Sequence, residues 1–147
     1  MNNRNYELCQ EYPFLTPKDP FSGEMIENYD YSFTYLDECP EGWRELFFNM
    51  CTIIKPMLMK YEKLNDFRLL QVKEKYGQLA IYHAGAPESV CDVIDFYMDL
   101  SRKVCVGCGK PATKITPGWI SPWCDDCAWE HGQYCIDIDE WFKEIKE

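Results

Sequence analysis

Apolar residues recur along the middle of the chain with two different periods. Across residues 43–64, Trp43, Leu46, Phe47, Met50, Ile54, Met57, Leu58 and Tyr61 follow i, i+3, i+4, i+7 spacing. On a helix that spacing makes one broad apolar stripe. Pro56 lies inside the run and removes one backbone donor, so the helix is expected to kink or split near Ile54 and Lys55. A second helical run covers residues 88–104, with Val90, Val93, Ile94, Tyr97 and Leu100 on one face and Pro87 just before it or at its first position. Between the two, residues 67–83 change to period 2. Leu70 and Val72 alternate on the way out, Gly77 supplies the turn, and Leu79 and Ile81 alternate on the way back, which predicts a β-hairpin. Residues 29–36 alternate as well. Tyr29, Tyr31, Phe33 and Tyr35 oppose Asp30, Ser32 and Thr34, and the pattern predicts a strand.

The flanks are less regular. Pro13, Pro17, Pro20 and Gly23 forbid a long helix across residues 1–28, and the aromatic residues among them suggest an extended arm lying on the domain. Residues 139–147 read as a short helix carrying Trp141, Phe142 and Ile145. The expected fold is α+β: a small antiparallel sheet from 29–36 and the 67–83 hairpin, covered by two main helices, with a C-terminal zinc ribbon. The organisation that follows is an arm at 1–28, an α+β domain at 29–104, and a ribbon with a terminal helix at 105–147. Val104 runs directly into Cys105, so the ribbon is expected to pack on the domain rather than swing from a linker.

The ribbon rests on the cysteines. Of nine, four form two C-x2-C pairs, Cys105/Cys108 and Cys124/Cys127, with 15 residues between them. A two-residue spacer lets both sulfurs of a pair reach one ion from a tight turn, and zinc accepts a tetrahedron of thiolates. The intervening residues suit a β-excursion: a strand at 114–116, a Pro117-Gly118 turn, and a return at 119–121. One structural zinc per chain is therefore expected. Four thiolates leave no position open for water, which argues against zinc catalysis. Cys9, Cys39, Cys51, Cys91 and Cys135 have no paired spacing and read as small buried hydrophobes.

Charge narrows the function. The 147 residues include 15 basic and 25 acidic ones, a net charge of −10. That balance disfavours coating nucleic acid or an anionic membrane by bulk charge. No apolar run approaches the ~18 residues of a membrane span, and the N-terminal residues have no apolar signal core, so a cytoplasmic protein is expected. No nucleophile–base motif, phosphate-cradling loop or paired carboxylate of recognisable context appears, and an enzyme is not expected.

Charge is also uneven along the chain. Arg102, Lys103, Lys110 and Lys114 occupy a stretch without acids. With Trp119 they form the candidate surface for nucleic acid, the alternative reading. Glu88, Asp92, Asp95 and Asp99 share one face of the second helix, opposite its apolar face. Asp92, Asp95 and Asp99, with Phe48 and Met59 from a second row on the first helix, are the candidate surface for a partner protein.

Three stretches together resemble a family of small, largely uncharacterised proteins of bacteriophages and prophages: residues 29–37 with 40–44, the Gln-Val-Lys-Glu-Lys-Tyr-Gly-Gln-Leu phrase at 71–79, and the two cysteine pairs with their neighbours. The resemblance runs from about residue 12 to 127. It implies a phage accessory protein in a bacterial cytoplasm and brings no activity of its own. By analogy with small acidic phage proteins, the expected partner is a host protein that is bound and inhibited, such as a component of a nuclease-based defence. Nucleic acid is not expected as the main partner.

Overall fold

The computed structural model describes residues 3–19, 21–132 and 134–145. The apolar stripe at its centre becomes α3 (Arg44–Lys60), which buries Leu46, Phe47, Met50, Cys51, Ile54 and Leu58. A 3-10 turn, Glu41–Trp43, leads into it. Trp43 is wholly buried, and its indole N–H is satisfied by the Val104 carbonyl at 2.9 Å. Each large apolar side chain buried here contributes on the order of 1.5–3 kcal/mol. Of the two outcomes expected at Pro56, the split does not occur; α3 continues through it to Lys60. The amide it lacks would have bonded the carbonyl of Thr52, an exposed residue whose carbonyl water can serve instead.

The hairpin forms as β1 (Arg68–Lys75) against β2 (Gln78–Ala84), antiparallel. Tyr76 and Gly77 join the strands with φ of 51° and 79°, the double positive φ of a tight hairpin turn. The register slips between Leu69 and Gln71, which leaves Leu70 out of the ladder. The inward row is therefore Leu69, Val72, Leu79 and Ile81, and Leu70 is exposed. On its buried side the hairpin meets α4 (Glu88–Ser101), which also packs on α3 and buries Val90 and Ile94. Leu100, assigned by its spacing to the buried face, points outward.

Two expectations for the N-terminal third are corrected. Residues 3–11 are not part of an extended arm; they form α1 (Asn3–Glu11), followed by a 3-10 turn, Pro13–Leu15. The breakers all lie after residue 12, so none opposes a helix before it. Cys9, Tyr12, Phe14 and Leu15 carry this segment into the core. Residues 29–36 are not a strand. Asn28 and Tyr31 take positive φ. Asp30 accepts the Ser32 amide, and Thr34 caps α2 (Tyr35–Glu38) in a reciprocal box with Asp37. The polar residues of the alternating pattern thus bond to the local backbone instead of forming a solvent face.

The C-terminal third holds a second sheet, order β4-β3-β5, from β3 (Lys114–Thr116), β4 (Ser121–Trp123) and β5 (Ile136–Asp137). The return strand β4 begins two residues later than the sequence suggested. The Thr116 hydroxyl bonds the Trp119 carbonyl and accepts the Ser121 amide, which closes a wider turn. Two helices complete the chain, α5 (Asp125–His131) and α6 (Ile138–Ile145). The fold is α+β with two small antiparallel sheets. Among the described residues, no helix is long and apolar enough to cross a membrane.

Candidate metal centre

The first cysteine pair sits on a tight turn just after α4. Val104 bridges to Pro111, the Cys105 amide donates to the Lys110 carbonyl at 2.8 Å, and the Gly109 amide donates back to the Cys105 carbonyl at 3.0 Å. Gly109 has a φ of 87°, which closes the turn without side-chain strain. The second pair is built differently. Cys124 is the N-cap of α5, and its sulfur accepts the amide of Cys127 at 3.4 Å. The β3–β4 hairpin brings the two pairs face to face.

All four sulfurs lie within 4.8 Å of one another, and those of Cys108 and Cys124 are 3.5 Å apart. The edge of a thiolate tetrahedron around zinc is about 3.8 Å. The four cysteines therefore lie close enough to hold a metal ion, and all four thiols are free. Burial acts to raise the Cys105 thiol. Backbone hydrogen bonds at Cys124, Cys108 and Gly107, with the Cys127 thiol, outweigh it and bring Cys105 down to about 7. Burial and the neighbouring sulfurs push Cys127 the other way. A divalent cation held by all four sulfurs would take the place of the thiol protons.

The centre is tied to the rest of the chain. The Gly42 amide donates to the Val106 carbonyl, the Val106 amide donates to the Pro122 carbonyl, and the Ser121 hydroxyl donates to the Glu74 carboxylate of β1. The remaining cysteines do not join the cluster; Cys9, Cys39 and Cys51 are buried in the core. His131 packs its ring on Trp123 at 4.5 Å.

The other candidate residues are dispersed. Asp92, Asp95 and Asp99 are exposed on α4, with Asp99 at 3.5 Å from Arg102. Phe48 does not stand free beside them. It is half-buried, with an edge contact to Tyr12 at 5.2 Å, and α1 lines the same groove. Met59 is exposed. Phe96, which the helical period did not single out, is 62% exposed between Asp95 and Asp99. The signal was its i+4 spacing from Asp92.

Each of the basic residues is engaged or set apart from the others. Arg102 and Lys103 lie over the Phe142 ring at 4.8 and 5.5 Å, and Lys110 stands 3.9 Å from Asp126. Lys114 lies in the middle strand, opposite Trp123 and Asp137. Trp119 is 85% exposed at the tip of the β3–β4 turn. Compared with family models, with curated proteins and with solved structures, the chain matches none.

Proposed function

We propose that this is a binding protein without catalysis of its own, which holds one zinc ion at Cys105, Cys108, Cys124 and Cys127 and offers the outer face of α4 to a basic surface of a partner protein. The donor set supports zinc: four soft thiolates with no carboxylate or imidazole among them suit a tetrahedral S4 ion. Such a set is complete, so the ion stabilises the fold and does no chemistry.

The observation that carries the binding function is Phe96, exposed in a row of carboxylates from Asp92 to Asp99. A solvated helix face needs the acids but has no use for the ring. An aromatic anchor slows dissociation, and charges around it raise the on-rate and select the partner. Net charge −10 and the engagement of Arg102, Lys103 and Lys110 disfavour nucleic acid. The resemblance to phage and prophage proteins supports a host protein as the partner and inhibition as the outcome.

The test is capture from a bacterial host lysate after nuclease treatment, with the parent, a triple variant (Asp92→Lys, Asp95→Lys, Asp99→Lys) and Phe96→Ala. A protein retained by the parent, released by salt from the triple variant and shed faster by Phe96→Ala supports the reading. Equal retention by folded, metal-loaded variants across a salt series overturns it.

A further inference from the structure

The tips of the two hairpins meet. A Cβ at Gly77 would lie 2.8 Å from Ile120 Cγ2, so the β1–β2 turn rests on the β3–β4 turn. Beside that contact lies a cavity of about 470 Å³ lined by Glu74, Tyr76 and Trp119 among others. It adjoins a second of about 500 Å³, whose walls include Glu41, Trp123 and His131 and which shares Glu74 and Trp119 with the first. Together they form one cleft between the hairpin and the metal module.

Three properties of its walls point the same way. Tyr76 and Trp119, one on each turn, are 79% and 85% exposed, so two large rings stand in water at the mouth. Tyr76 does so from a φ of 51°, a conformation that disfavours a bulky residue. The Glu74 carboxylate is half-buried, accepts the Ser121 hydroxyl, and has no cation within ion-pair distance among the described residues. Lys73 and Lys75 also line the cleft, but their ammonium groups lie over the Tyr82 ring at 5.8 and 6.0 Å, and Lys75 reaches the Tyr82 hydroxyl at 3.3 Å.

We infer that this cleft binds an arginine or lysine side chain carried on a segment of another protein. The carboxylates of Glu74 and Glu41 answer the cation, and the faces of Trp119 and Tyr76 attract it. A carboxylate or phosphate ligand would meet two acids, and a wholly apolar one would leave the acid unpaired. This site is independent of the α4 face and stands or falls without it.

The test uses the full, metal-loaded chain labelled with 15N. Three probes are titrated: a blocked Gly-Arg-Gly peptide, the same peptide with citrulline for arginine, and spermidine. The arginine peptide is expected to shift the indole N–H signals of Trp119 and Trp123 saturably, and the uncharged citrulline peptide is not. Spermidine, a cation without a peptide backbone, is expected to bind more weakly than the peptide. Glu74→Gln keeps an acceptor for Ser121 and is expected to weaken the peptide about tenfold. Trp119→Ala, which removes an 85% exposed side chain and leaves the backbone of its turn, is expected to weaken it several-fold. No shift with the arginine peptide, an equal shift with citrulline, or unchanged binding by Trp119→Ala overturns the proposal. Tighter binding of spermidine than of the peptide overturns the peptide as occupant.

Discussion

The backbone amide of Gly42, at the entrance to α3, donates to the carbonyl of Val106, the residue that follows the first metal-site cysteine, at 2.9 Å. The approach is so close that a Cβ at Gly42 would stand 2.2 Å from the Cys105 carbonyl oxygen and 2.5 Å from that of Val106. From the other side, a Cβ at Gly109 would lie 2.9 Å from the Gly42 carbonyl. Two glycines thus let the metal-site turn lie directly against the start of the central helix.

Gly42→Ala should separate them. The atoms in the way are backbone, which cannot rotate aside, so the turn must move. Overpacking of this kind costs about 1–3 kcal/mol. Chemical denaturation should show that loss, and competition with a chelator should show faster release of metal, because Cys105 and Val106 move with the turn. A variant that matches the parent in both measurements would mean that the contact does not hold the centre.

The double pair of cysteines was legible in the sequence because metal ligation is a local spacing problem. The stripe of α3 was legible because burial on one side imposes a period. Residues 29–36 were misread for a specific reason. Period 2 records only which residues are polar, and Asp30 and Thr34 are polar in order to bond local amides. Leu70 was misassigned because a bulge inverts the pattern without altering composition. The cleft was invisible, since Glu74, Trp119 and Trp123 come together only when the second sheet docks on the hairpin.

Purified protein should carry one zinc per chain, and Cys108→Ser should lose it. In modules of this kind the free energy of metal binding is free energy of folding. Removal of the ion should therefore melt β3, β4 and α5, while α3, α4 and the β1–β2 hairpin, which share a core, persist. Elemental analysis gives the stoichiometry and amide exchange maps the melted region. Less than half an equivalent of metal in fresh, chelator-free protein would sink this.

Tyr76→Asn should stabilise the chain. Asparagine tolerates positive φ better than tyrosine, and Tyr76 is exposed, so little packing is lost. The expected gain is about 1 kcal/mol in denaturation. The same change should weaken the arginine peptide, since it removes one ring from the mouth of the cleft. A loss of stability would show that the tyrosine ring packs more firmly than its exposure implies.

Glu74 should make stability depend on pH in an identifiable direction. Burial raises its carboxyl above the ordinary value of 4.5, against the opposing hydrogen bond from Ser121. The folded chain therefore binds this proton more tightly than the unfolded chain. Between 4.5 and the raised value the folded state carries more of the proton, so stability falls as pH rises through that window. At neutral pH the full penalty of a desolvated, unpaired carboxylate is present. Glu74→Gln removes the charge and keeps an acceptor for the Ser121 hydroxyl, so the variant should be more stable than the parent at neutral pH. The advantage should narrow on acidification and vanish once the pH is below the ordinary carboxyl value, where both states of the parent are protonated. Glu38 is also raised by burial, but it is present in both proteins and cancels in the difference. Glu41 and His131, which line the same cleft, are likewise common to both. The measurement is the difference in denaturation midpoint between the two proteins from neutral pH down to about pH 4. A variant less stable than the parent at neutral pH, or a gain that stays constant across the series, would show that Glu74 is not held as an uncompensated charge. The loss of peptide binding by the more stable variant would then have no basis, because a functional carboxylate held at a cost to stability is what links the two results.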